Sequence, residues 1–222
     1  AGPWRLAPTT PDTTLPDNRW TIATRLRLHL PVCPPGKRCA HKRQNVSTCD
    51  DELDVHGMHA TMCLAGGAAT RRHGNLARTL GAAVAAMLSV PVQYEQTAPK
   101  GPGEEPRSDV VWPDGPGRMT HADVSVVSPW ASQAMRANLS ARNDGAAARL
   151  GESKKLRDYK GTVKPWVLET LGRPGESALR VMRSAARHLP RDERGPELSK
   201  WWAQIGTTLA DTNADAVITA TT

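Results

Sequence analysis

Two short runs, "SDVVW" at 108–112 and "HADVSVVSP" at 121–129, show the two-residue alternation of half-buried strands and flank the turn "PDGPGR". They predict a β-hairpin. The hairpin constrains the fold because each strand carries an acid among its valines, Asp109 in one and Asp123 in the other. An ionised carboxylate within a sheet is costly unless something compensates it. Two such acids on adjacent strands can converge on one point, where a divalent cation such as Mg²⁺ keeps both ionised. Glu95, late in the strand-like run "VPVQYEQ" (90–96), is a candidate third oxygen ligand. Taken singly, each acid also fits an edge or loop end facing water.

Helices surround these strands in the sequence. "ATRRHGNLARTLGAAVAAML" (69–88) repeats Leu76, Leu80, Val84 and Leu88 every four residues, an amphipathic helix whose first turn holds Arg71, Arg72 and His73. A helical tract is expected over about 130–160, broken near "NDG", followed by a strand at "TVKPWVLET" (162–170). Further helices are expected near 175–189 and 196–210, after which "DTNADAVITATT" fades out. "TIATRLRLHLPV" (21–32) alternates like a strand, and residues 1–20, rich in Pro, Thr and Asp, read as a linker. This order implies a central sheet flanked by helices, α/β or α+β. With 222 residues, one main domain and a small module are expected. Only 39% of residues are apolar and none is Phe, so long loops and ragged ends should accompany the core.

The helix expected before 162 places Lys155 and Tyr159 at i and i+4, on one face. A lysine presented to a two-carboxylate, metal-binding sheet edge is the equipment of phosphodiester hydrolysis, where it stabilises charge building on phosphorus. The same spacing also fits a solvated cationic face. Twenty-nine Lys and Arg against 22 Asp and Glu give a net charge of +7, which suits a polyanion and makes nucleic acid the first candidate partner. Arg71, Arg72 and His73, beside the free N–H groups of a helix start, are placed to grip phosphates.

No run reaches the ~18 apolar residues of a membrane span, and the N-terminus lacks the order of a signal peptide, so the chain reads as soluble and intracellular, nuclear or cytoplasmic. Its start, without Met and in a proline-rich run, suggests a piece of a longer protein. Asn45-Val-Ser47 and Asn138-Leu-Ser140 match the glycosylation sequon and carry little weight without a secretory signal. In such a chain four cysteines favour metal over disulfides.

"CDDELDVHGMHATMC" (49–63), then "GG", "RRHGNL", "YE", "RSDVVW", "ADVSVVSP", "ESKKLRDYKG" and "PWVLETLG", in this order and spacing over roughly 31–190, resemble the C-terminal region of non-LTR retrotransposon proteins. There a zinc-knuckle-like element precedes a restriction-like endonuclease of the PD-(D/E)xK superfamily. The resemblance implies a small zinc element at 31–67, a restriction-endonuclease-like mixed sheet flanked by helices at 68–190, a terminal helix and tail at 191–222, and an extension at 1–30. It matches the family's Arg-His pair to Arg72 and His73, its early acid to Glu95, its two strand acids to Asp109 and Asp123, and its helical "K..KY" to Lys155 and Tyr159. Three departures stand out: Ser108 replaces the usual Pro, Ser125 holds the lysine position of most of the superfamily, and Asp158 replaces a second lysine.

The same pattern sets His59 and Cys63 as the last zinc ligands and, counting back, Cys39 and Cys49 as the others. Cys33, which can replace Cys39, and His56 are the spare ligand candidates, although His41 and His56 read as surface residues. The four-ligand Zn²⁺ would be structural, presenting Lys37, Arg38, Lys42 and Arg43 to phosphates. The implied activity is Mg²⁺-dependent nicking of DNA, with RNA a further candidate partner, as part of a larger reverse transcriptase polyprotein. No Tyr-x-Asp-Asp occurs in this chain, so it is a fragment of such a protein or a remnant. A remnant acting only as a zinc-containing nucleic-acid-binding module is the alternative.

Overall fold

The computed structural model of the protein describes residues 13–42, 48–97, 107–130 and 143–222. The hairpin forms where the alternation places it. Strand β2 (Arg107–Pro113) pairs antiparallel with β3 (Met119–Val127), Val110 opposite Ala122 and Trp112 opposite Thr120. β1 (Gln93–Thr97) adds antiparallel to β2. β4 (Lys164–Glu169) lies parallel to β3, so the sheet is mixed, in the order β1-β2-β3-β4. A parallel neighbour needs a crossover. Helix α4 (Ala146–Asp158) stands between β3 and β4 in the chain and packs against both.

Alternation divides the sheet's residues between two faces. Val110, Trp112, Ala122, Val124, Trp166 and Leu168 turn toward α3 (Ala68–Leu88), α5 (Glu176–Ala186) and α6 (Arg194–Thr221), and join Leu76, Leu80 and Val84 of α3 in the main core. Each such buried side chain contributes roughly 1.5–3 kcal/mol of transfer free energy. On the other face α4 comes in at Gly151: a Cβ there would lie 3.0 Å from Val127 and 3.1 Å from Val167, so a larger residue forces the helix outward.

Two elements differ from the expectation. Residues 21–32 form no strand. Helix α1 (Asp17–Arg27) occupies most of that run and part of the expected linker, burying Ala23 and Leu26 while Leu28 and Leu30 are exposed. The alternation was a coincidence of Leu spacing. The last helix does not fade near 210 but continues to Thr221, because Leu209, Ala210, Ala214, Val217 and Ala220 keep an apolar face that α1, α3 and the cysteine region cover. In the expected 130–160 tract, helix is described only from Ala146, residues 131–142 lying outside the described set. Among the described residues no helix is long and apolar enough to cross a membrane.

Glu152 of α4 holds the helix to α5: its Oε1 accepts the Ser177 N–H at 2.7 Å, and burial pushes its carboxyl above its ordinary value near 4.5. A raised acid pKa in the folded state means the neutral form is favoured there. Stability from that preference is complete below pH 4.5 and lost as pH rises through the folded value. Glu152→Gln, whose amide oxygen can accept the same N–H, should therefore match wild type in thermal unfolding at pH 4 and melt at a higher temperature at pH 7.

Candidate active site and metal centre

The β2–β3 ladder stops at Val110 and Ala122, and one step further in the same register Asp109 stands opposite Asp123. Asp109 turns its side chain into the gap, where Oδ2 accepts the Val124 N–H at 2.6 Å. Its Oδ1 meets His73 Nε2 at 3.1 Å, reached from α3. This hydrogen bond, with the nearby carboxylate charges, raises the His73 pKa against the opposing effect of burial.

Asp123 is almost fully buried, 2% exposed. Its Oδ1 accepts Lys155 Nζ of α4 at 2.6 Å, and its Oδ2 is buried with no hydrogen-bond partner. Tyr159, one turn beyond Lys155, donates to the Arg107 carbonyl at 3.1 Å, and its ring centroid lies 5.8 Å from the ammonium. Burial first, then hydrogen bonding toward Asp123, raises the phenol's pKa. Two helices on opposite faces of the sheet thus bring the Lys155 ammonium and the His73 imidazole to two carboxylates on adjacent strands. The spacing of Lys155 and Tyr159 signalled their half of this; the reach of His73 to Asp109 did not follow from spacing.

Glu95 is exposed on β1 with φ +52°, where the ladder skips a pair between Tyr94–Val110 and Gln96–Ser108. No group of three or more acids and histidines that could share an ion forms around Asp109 and Asp123 among the described residues, so the structure does not gather Glu95 with them. Arg71 is half-exposed and pairs with Asp215 at 3.1 Å. Arg72 is buried, its Nη1 donating to the Thr61 carbonyl at 2.6 Å and Asn213 Oδ1 at 2.9 Å, which makes it an internal strut in addition to a wall of the cleft beside Lys155. Lys37, Arg38 and Lys42 are exposed, Arg38 pairing with Asp50 at 3.1 Å; Arg43 lies outside the described residues.

The cysteine region closes on itself. Cys39, Cys49, His59 and Cys63 bring their ligand atoms within 4.8 Å of one another, a group that could hold a metal ion. Cys39 Sγ is 3.9 Å from Cys63 Sγ, and Cys49 Sγ is 3.4 Å from His59 Nε2. Metal–sulfur bonds of about 2.3 Å at tetrahedral angles put sulfurs about 3.8 Å apart, so the edges are compatible with zinc. His59 and Cys63 lie four apart on the short helix α2 (Met58–Met62 with Cys63 capping it), whose first N–H groups donate to the Asp54 carboxylate at 3.0 and 2.6 Å. Burial is the largest influence raising the Cys39 and Cys63 thiols, which a bound cation would reverse.

Cys33 stays outside the group, buried, its thiol pushed up to about 11. The group that could hold a metal therefore takes in Cys39 and leaves out Cys33. His41, expected at the surface, is buried, and its Nε2 contacts the Ala216 carbonyl and Thr219 Oγ1, each at 3.0 Å. His56 stacks on His29 with centroids 4.0 Å apart. No protein-family model matches the chain, and no curated protein matches it.

Co²⁺ titration of the reduced protein should saturate at a single equivalent with sulfur-to-metal absorption. Cys63→Ser should weaken that binding by at least about tenfold, the lower end for lost metal-site groups, and Cys33→Ser should leave it unchanged. Equal loss in both variants would contradict the assignment.

Proposed function

We propose that the protein is a Mg²⁺-dependent DNA endonuclease, with a restriction-endonuclease-like sheet and a structural zinc element, that nicks one strand by phosphodiester hydrolysis. The observation that carries this reading is the buried Asp123 carboxylate, paired through Oδ1 with Lys155, facing Asp109 across the strand gap and left with an unpartnered Oδ2. An orphaned, buried carboxylate oxygen fits a divalent cation, and Mg²⁺ commonly takes only one or two protein carboxylates, completing its shell with water and phosphate oxygens. Asp109 and Asp123 are the residues that would hold it. Bound there, Mg²⁺ would supply Lewis acidity to the attacked phosphate and activate the attacking water.

The remaining work falls to this chain's side chains. Lys155, 25% exposed at its side chain, is close enough to Asp123 to be aimed by it and open enough to meet a phosphate oxygen, whose growing negative charge it stabilises. His73 fixes the orientation of Asp109 through Oδ1, and the Val124 N–H fixes Oδ2. Tyr159 packs beside Lys155 and keeps its ammonium near the strand ends. Ser125, at the position of the superfamily's strand lysine, cannot do that work, so a helix supplies the cation. The exposed Lys37, Arg38 and Lys42 of the cysteine region and half-exposed Arg71 supply further phosphate contacts. Membership in a larger reverse transcriptase polyprotein, and a role for the nick as primer, rest on the motif resemblance.

In a supercoiled-plasmid assay with Mg²⁺, Asp123→Asn and Lys155→Ala should each lower nicking by about 10²–10³-fold, the scale of losing one group that stabilises transition-state charge. Lys154→Ala, which changes only an exposed pair with Asp158, should remain near wild type. DNA binding without nicking in wild type would identify the inactive binding module instead.

A further inference from the structure

A lone exposed leucine is ordinary on a protein surface. Leu64 differs in how it is held. At 87% exposure it is the most exposed large apolar residue among those described, the next being Leu28 at 63%. Yet the backbone on either side of it is held by burial and hydrogen bonds. Its neighbours Cys63 and Ala65 are buried, the Cys63 N–H donates to the His59 carbonyl at 2.8 Å, and the Gly66 N–H donates to the Lys42 carbonyl at 2.7 Å. The chain thus spends a fixed position on holding an apolar side chain in water.

Its place also matters. Leu64 and Met62 line both the hollow over Cys49, His59 and Cys63 and the cleft that carries Arg72, His73 and Lys155. That cleft has a volume of about 490 Å³, within the range of clefts that take up small molecules. Beside its apolar walls lies Ser125, whose Oγ is buried without a hydrogen-bond partner. An apolar side chain standing at the mouth of such a cleft, next to cations suited to phosphate, has the form of the wedges that proteins insert between base steps, unstacking them.

The geometry points to Leu64 as a wedge that enters the duplex beside the scissile phosphate, with the cleft receiving the base it displaces. This rests on the endonuclease reading and adds to it the deformation of the substrate. The Ser125 hydroxyl then meets the edge of the displaced base, and Lys155 and His73 stay with the phosphates. Unstacking costs a few kcal/mol per step, so the wedge favours pyrimidine–purine steps, which unstack most readily.

The test is permanganate oxidation of unstacked thymines on supercoiled plasmid bound by the intact protein, with Ca²⁺ in place of Mg²⁺, read by sequencing and compared with nick positions mapped in Mg²⁺. Wild type should give oxidised thymines next to the nicks. Leu64→Ala should lower that reactivity by about tenfold while keeping plasmid affinity within about threefold, as expected when a wedge is lost and phosphate contacts stay. Leu64→Phe should preserve it. An unchanged Co²⁺ spectrum would certify that the variants keep their fold at this position. Nicking without oxidised thymines, or equal oxidation by Leu64→Ala, overturns the wedge. Oxidised thymines that depend on Leu64, in a protein that never nicks, uphold the wedge and overturn the nuclease. A protein that does not bind plasmid overturns both.

Discussion

The contact between Lys155 and Asp123 organises the molecule around its candidate site. A carboxylate that is 2% exposed in the middle of a sheet must be compensated, and here the compensation comes from a helix on the crossover between the two parallel strands. Removing one partner of a buried pair strands the other's charge at a cost of about 3–5 kcal/mol, so the pair also pins α4. Two neighbouring residues fix the same helix by other means. Gly151 lets it approach Val127 and Val167, and Glu152 joins it to the start of α5. The Lys155 ammonium is thereby presented from a helix fixed within one and a half turns.

Helix α6 performs the corresponding task for the rest of the fold. It lies along α3 in the main core, takes α1 on its flank through Arg19 with Asp211 and Asp215, and reaches the cysteine region with its last turns. The Ala220 carbonyl accepts the Ala40 N–H at 2.9 Å, and His41 meets the Ala216 carbonyl. Asn213 donates to the Thr170 carbonyl at 2.8 Å and accepts from Arg72, linking the end of β4 to the start of α3. The cysteine region is therefore seated on the same scaffold as the sheet.

What the sequence made legible was what local period or spacing encodes. The hairpin, α3, β4, the strand acids and the Lys155–Tyr159 face were readable because alternation and four-residue repeats report which face is buried. The ligand group was legible through the motif resemblance, which sets its last pair on His59 and Cys63 and left Cys33 and Cys39 as alternatives for the first. The unreadable parts depend on distant partners. Leu26, Leu28 and Leu30 alternate, but only Leu26 finds a neighbour, so the segment is helix. Arg72 looked like its exposed neighbour Arg71 until Thr61 and Asn213 were in place to receive it. Glu95 lies within a strand on a left-handed backbone, which no periodicity records.

The two centres are joined by one short stretch of chain. From His59 to His73 the backbone supplies two ligands of the metal group, Leu64, a tight turn in which Gly66 and Gly67 have φ of +75° and +70°, and the helix start that carries Arg72 and His73. Helix α2, with five residues, is far below the roughly 12–15 at which an isolated helix becomes even marginal in water. It stands because Asp54 caps it and because His59 and Cys63 converge with Cys39 and Cys49. The thiols there are disfavoured as anions by burial, an effect that a cation bound between them would oppose. Cys63 leads into the turn at Gly66 and Gly67, from which α3 brings His73 to Asp109. A cation held by the ligand group would thus bear on the strand ends of the candidate site through the fifteen residues from His59 to His73.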